Sequence, residues 1–311
     1  TGAAGFIGSC LVSKLNDLGI THITIVDDFS SDDKEHNLVG KKYSQRIDRG
    51  AFVNWLKTNG DSVEFVYHIG ARTDTAEFDK AIFDELNLNY SKDVWKWCTH
   101  YEIPLVYASS AATYGLGEHG YIDDHKIVDQ LVPLNPYGES KNDFDKWMLQ
   151  QEKQPPFWAG LKFFNVYGPN EGHKGKMASV ALHNYRQYKA QGVMKLFGAS
   201  HGYPDGEQLR DFVYVDDAVA VNLWFFDQPE VTGIFNCGTG RAEPFKEIPN
   251  AISDYFGSGE IEYVPFPEEL ADRYQSFTKA DLAKLRSAGC DVSFRSVKAG
   301  GRDYLRWLER Q

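Results

Sequence analysis

Three glycines at three-residue intervals open the chain, in Thr1-Gly2-Ala3-Ala4-Gly5-Phe6-Ile7-Gly8. A strand-to-helix turn around a pyrophosphate needs this spacing. Backbone must approach the phosphates without Cβ atoms in the way, and the last glycine lets helix and strand pack closely. The helix that follows turns free N–H groups and the positive end of its dipole toward the same anion. Asp27 lies 19 residues past Gly8, at the end of the next apolar run. There a carboxylate meets the ribose hydroxyls of a dinucleotide. Sheets of this kind are centred on a strand before the turn, so the pattern predicts about four or five residues ahead of Thr1.

The rest of the chain alternates in the same sense. Ile23–Val26, Val63–His68, Ile103–Ala108 and Leu161–Asn165 read as buried strands, separated by helical stretches at Ser9–Leu18, Phe78–Tyr101 and Gly138–Gln151. This predicts an α/β fold, a Rossmann-type doubly wound parallel sheet with a smaller α/β substrate-binding domain. Beyond residue 166 the elements shorten: a helix near Ser179–Gln191, strands near Lys195–Phe197 and Phe212–Val215, and a helix Asp216–Phe226 with Asp216 near its N-cap. Residues 1–165 with about 211–240 are expected to bind the dinucleotide, and about 166–210 with 241–311 the substrate.

Composition narrows the partners. Thirty-three basic and 44 acidic side chains leave a formal charge of −11, which argues against nucleic acid or an anionic membrane as partner. Cys10, Cys98, Cys237 and Cys290 are scattered with no metal-binding spacing. No metal is expected, and the thiols read as buried groups in a reducing cytoplasm. No run approaches the roughly 18 apolar residues of a membrane helix, and no signal peptide is recognised. A cytoplasmic location is the expectation.

Chemistry concentrates in two segments. Ser109-Ser110-Ala111-Ala112-Thr113-Tyr114-Gly115 follows a buried strand, and Tyr137-Gly138-Glu139-Ser140-Lys141 opens a helix. Tyr137 and Lys141 share a helix face. A phenol is a poor base near neutrality, but a neighbouring ammonium and a cationic nicotinamide favour phenolate. Ser110 is placed to hydrogen-bond the reacting oxygen.

These segments, with Phe163-Phe164-Asn165-Val166-Tyr167-Gly168-Pro169 and Arg210-Asp211-Phe212-Val213-Tyr214-Val215-Asp216-Asp217, resemble the nucleotide-sugar-modifying members of the extended short-chain dehydrogenase/reductase superfamily. A narrower resemblance, to the ADP-glyceromanno-heptose 6-epimerase family, is carried by the run Asn165 to Ser179, by Ile234 to Glu243 and by Arg273 to Thr278. It implies inversion of C6 in ADP-D-glycero-D-manno-heptose through a transient ketone, for lipopolysaccharide inner-core synthesis. Such an enzyme is an NADP-dependent isomerase that regenerates its cofactor each turnover.

The resemblance assigns acid–base roles to Tyr137 and Lys174, supported by Lys141 and Ser110. It places the cofactor on Gly2, Gly5, Phe6, Ile7, Gly8, Asp27, Asp28, Lys34, Arg49, Ile69, Gly70, Ala71, Arg72, Thr73, Asn87, Tyr137, Lys141, Val166 and Lys174. The ADP-linked heptose falls to Asn165, Lys176, His183, Phe197, Gly198, Ala199, Ser200, Arg210 and Tyr274. A guanidinium at Arg210 suits diphosphate, whose oxygens it can grip in pairs. Relatives form homo-oligomers, and pentamers are implied.

Several positions depart from the family pattern. Lys176 replaces a common Ser and adds a like charge that would lower the pKa of Lys174. Ile69 stands where an acid is common, with Arg72 just beyond. His201–Gln208 looks longer than usual. Asp27 and Asp28 together favour NAD on electrostatics, whereas Lys34 and Arg49 can neutralise a 2′-phosphate. NADP is the expectation, with NAD second. The alternatives are another nucleotide-sugar epimerase, a dehydratase or reductase, or a non-catalytic dinucleotide-binding protein. Ala111 and Ala112, where a dehydratase would carry acids, disfavour the dehydratase.

Overall fold

In the computed structural model, which describes residues 1–228 and 230–311, four parallel strands form the centre. Their spatial order is Gly233–Cys237, Trp158–Phe163, Leu105–Ser110 and Val66–His68. A second parallel pair, Thr24–Asp27 with Gln45–Asp48, lies beyond. Residues 1–3 link the two sheets: Thr1 N donates to Tyr67 O at 2.6 Å and Ala3 N to Val26 O at 3.2 Å.

Alternate side chains of a strand point to opposite faces. Leu105 and Tyr107 thus enter one core, with Trp95, Phe144 and Met148 of the covering helices, while Val106 and Ala108 enter the other, with Phe225 and Phe235. Burial on both faces is what made these strands legible as unbroken apolar runs. Lys162 is the exception within a fully buried strand. Its ammonium is held by Asp145 at 2.8 Å and Thr113 Oγ1 at 2.7 Å, so the charge is compensated.

Three expectations shift. The helix expected over Phe78–Tyr101 divides into Lys80–Phe83, a π-turn Asp84–Asn89 and Tyr90–His100. The wider turn accommodates Asn87, whose amide is tied to neighbouring elements. The expected strand Leu161–Asn165 runs instead over Trp158–Phe163, and Asn165–Tyr167 leaves it to pair with Phe212–Tyr214. The helix read from Asp216 begins at Val215, with Tyr214 as its N-cap. Gln45–Asp48 gave no apolar signal because only Ile47 is buried in it.

The remaining part is built from the strands Val193–Phe197 and Glu260–Val264, paired in parallel, and the helices Val180–Gln191, Glu247–Phe256 and Val297–Leu308. A cavity of about 660 Å³ opens between it and the carboxyl ends of the central strands. Ligands of open α/β sheets bind at that edge.

Candidate active site

Backbone geometry at the opening turn explains its glycines. Gly2 has φ +70°, and a Cβ there would come within 2.6 Å of Gly70 Cα. A Cβ on Gly8 would sit 2.0 Å from Gly2 O. Gly5 caps the helix Phe6–Asp17 with no side-chain hydrogen bond, so that helix end keeps N–H donors for an anion. Asp27 is buried beneath the turn, where its Oδ2 accepts from Ala4 N at 2.9 Å and its Oδ1 from Asp28 N at 2.8 Å and from Lys34. Asp28 pairs with Arg49 at 2.9 Å. Turn, acidic pair and basic pair form one cluster with the chemistry of a dinucleotide cradle.

The helix Pro136–Leu149 starts where its sequence directs. Asn135 accepts from Gly138 N at 2.9 Å as N-cap and Pro136 takes the first turn. Tyr137, Lys141 and Ser110 all border the cavity. Burial pushes the Tyr137 phenol above its ordinary range, with a hydrogen bond from Ser110 working the other way. Lys141 Nζ donates one of its three N–H groups to Ala108 O at 2.8 Å. Burial lowers Lys141 to about 8, against the pull of Asp145. A lysine depressed in the fold opposes stability in full below about 8, and that cost shrinks as pH rises from about 8 toward the ordinary lysine value. Activity that needs the ammonium runs the other way. We expect kcat/KM to fall on an alkaline limb near pH 8 while thermal stability does not fall with it over the same interval, as a pH–rate profile beside melting curves would show.

Across the cavity, Lys174 sits on the short turn Gly172–Met177 with its ammonium 5.5 Å from the Phe6 ring. Burial lowers its pKa and Glu171 raises it. The lowering was expected from Lys176, but that side chain is exposed and does not line the cavity.

Asn165, Val166, His183, Phe197, Arg210 and Tyr274 line the same cavity, as do Ile69, Ala71 and Thr73. Gly198, Ala199 and Ser200 do not. Gly198 O and Ser200 Oγ instead accept from Gln208 Nε2, each at 2.8 Å, which fastens their loop beside Phe197. Asn87 supports rather than lines: it bonds Arg72 N at 2.8 Å, Arg72 O at 3.0 Å and Ser140 Oγ at 3.0 Å, tying the Gly70–Thr73 loop to the helix Pro136–Leu149. Arg72 itself is exposed and faces Asp74 at 3.4 Å.

Sequence reasoning missed Phe245 and Gln208. Arg210 is buried with its guanidinium 4.7 Å from the Tyr274 ring and 5.3 Å from that of Phe245. Phe245 lies outside every motif, and only its position across the cavity reveals it. Among the described residues, Arg210 has no carboxylate within 4.0 Å. The described side chains lining the cavity include Lys141, Lys174, Lys195 and Arg210 and no Asp or Glu. In a chain of net charge −11, this local reversal suits an anionic ligand.

Residues 1–238 match the model of the NAD dependent epimerase/dehydratase family. The chain belongs to this family. Within it, the chain falls among the ADP-L-glycero-D-manno-heptose-6-epimerases. It is 46% identical to the enzyme of that name from Alkalilimnicola ehrlichii over 98% of this chain and 95% of the relative. The one from Fusobacterium nucleatum is 44% identical over 98% and 96%. The Helicobacter pylori ADP-L-glycero-D-manno-heptose-6-epimerase structure superposes with a TM-score of 0.82 at 25% identity, covering 100% of this chain and 95% of that one. The α/β Rossmann expectation and the family resemblance are both borne out.

Proposed function

We propose that this chain inverts C6 of ADP-D-glycero-D-manno-heptose to give the L-glycero epimer, supplying heptose for lipopolysaccharide. One observation carries the reading: Tyr137 and Lys174 border a single cavity whose described lining is cationic and free of carboxylates. Inversion of a carbinol needs a proton taken from and returned to its oxygen in two orientations of the sugar, and the two side chains offer one group for each. A bound nicotinamide supplies reversible hydride transfer. Ser110 steadies the oxygen, and Arg210 holds the diphosphate. A carboxylate-dependent dehydration lacks its acid in this lining.

Incubating the protein with ADP-D-glycero-D-manno-heptose and following C6 by NMR, without added reductant, tests the proposal. Inversion with no net change in reduced nicotinamide supports it. Stoichiometric cofactor consumption, or an unchanged C6 centre, overturns it.

NADP is the cofactor we favour over NAD. Lys34 and Arg49 bracket the Asp27–Asp28 pair and offer two cations to a 2′-phosphate at the expense of their present partners. Arg49→Ala should weaken NADP binding about tenfold, one pKa unit's equivalent of charge interaction, and NAD by much less. Equal losses, measured by fluorescence titration, would assign the site to NAD.

The division of labour is proposed as before, residues 1–165 with about 211–240 for the dinucleotide and about 166–210 with 241–311 for the sugar nucleotide. Exposed Leu116, Ile122 and Val132 support a homo-oligomer, a pentamer on the family resemblance, which light scattering would size. Four buried free thiols accord with a reducing cytoplasm.

A further inference from the structure

Lys174 stands on a turn that has little of its own to hold it. The segment Gly172–Met177 buries no residue and contains Gly175 at φ +54°. Its rigidity must come from neighbours, and most of it traces to one side chain. Glu171 is fully buried. Its Oε1 accepts from Gly168 N at 3.1 Å and from Ser179 Oγ at 2.6 Å, and its Oε2 accepts from Ser179 N. One carboxylate thus clamps both ends of the loop that carries Lys174, while Glu171 O accepts the backbone N–H of Lys174 itself at 3.0 Å.

No Lys or Arg lies within 4.0 Å of Glu171 among the described residues. An ionised carboxylate buried without a cation is costly unless hydrogen bonds and a nearby charge compensate it. Two backbone N–H groups and a hydroxyl provide the first, and Lys174 provides the second. Tyr304 faces Glu171 from the helix Val297–Leu308, with Arg186 acting on Tyr304 rather than on the carboxylate; His173 adjoins Lys174, and Asn37 anchors that imidazole at 3.2 Å.

Resting on the acid–base role proposed for Lys174, we infer that Glu171 is a positioning residue: it pins the Gly168–Ser179 loop and supplies the counter-charge that keeps the Lys174 ammonium beside the substrate. Burial and Glu171 act on that amine in opposite senses, so removing the carboxylate leaves burial unopposed.

The test reads Lys174 directly. Acetic anhydride labelling across pH, quantified per lysine by mass spectrometry with exposed Lys126 as internal control, reports how readily each amine loses its proton. Glu171→Gln should move the Lys174 labelling midpoint to lower pH and cut kcat about tenfold. KM for the nucleotide sugar and cofactor binding should stay within about twofold. Ser179→Ala keeps the charge and removes one anchor. It should label Lys174 faster than the parent with a smaller loss of kcat, and it carries the test should Glu171→Gln not accumulate as folded protein. Lys174 labelling unchanged in the folded variants overturns the inference. A parent-like Lys174→Met would instead overturn the acid–base role and leave the labelling result standing.

Discussion

Replacing Tyr137 by phenylalanine is expected to lower epimerisation by about 10²–10⁴-fold, the usual worth of a positioned acid–base group, with the dinucleotide still bound. The variant deletes one oxygen. The ring stays packed 6.5 Å from Phe83, and the helix keeps its Asn135 cap. Loss of the hydroxyl of half-buried Tyr137 should cost about 1 kcal/mol of stability, too little to unfold a domain of this size. With the cofactor cradle proposed on the glycine turn and the Asp27 cluster, its affinity should change little. Measured C6 inversion near the parent rate in Tyr137→Phe, with bound dinucleotide intact, would show that the phenol is not the proton carrier.

Lys174→Met should slow epimerisation by a comparable 10²–10⁴-fold, roughly, and here stability is expected to hold or rise slightly. Methionine reproduces the lysine stem as far as Cε and offers a thioether that packs favourably near the Phe6 ring. It also removes an ammonium that burial disfavours. The two variants should differ in kind. With the sugar able to present its hydroxyl to one remaining group, each variant should still exchange hydride in one orientation while failing to invert. Transient reduction of the bound nicotinamide on adding substrate, seen by its ultraviolet absorbance while C6 stays uninverted, would separate that outcome from simple loss of binding. A Lys174→Met protein as active as the parent leaves Tyr137 without a partner and refutes the two-group scheme.

Much of this was readable in one dimension because the signals are local. The glycine spacing answers to backbone contacts within eight residues and to Gly70. The Tyr137–Lys141 pair answers to a single helical turn. The central strands are buried on both faces, so their apolar runs are continuous. Each of these is set by the chain's own covalent neighbourhood and by what its side chains avoid.

What sequence spacing did not reveal depends on groups far apart in the chain that meet only in the fold. Lys141 is four residues from Tyr137, and its ammonium also bonds Ala108 O, a carbonyl of the neighbouring strand Leu105–Ser110 that spacing along the chain does not reveal. Lys176 is two residues from Lys174 but points to solvent, and burial rather than like charge lowers the amine. Asn87 matched a cofactor position, yet a π-turn spends its amide on Arg72 and Ser140. Phe245 meets Arg210 across the cavity from outside any motif. The amino-acid order by itself settled the fold class, the family and which residue types could do the chemistry. Only the tertiary structure decided which of them share the cavity and what charge each carries there, because burial and long-range hydrogen bonding depend on three-dimensional neighbours rather than on spacing along the chain.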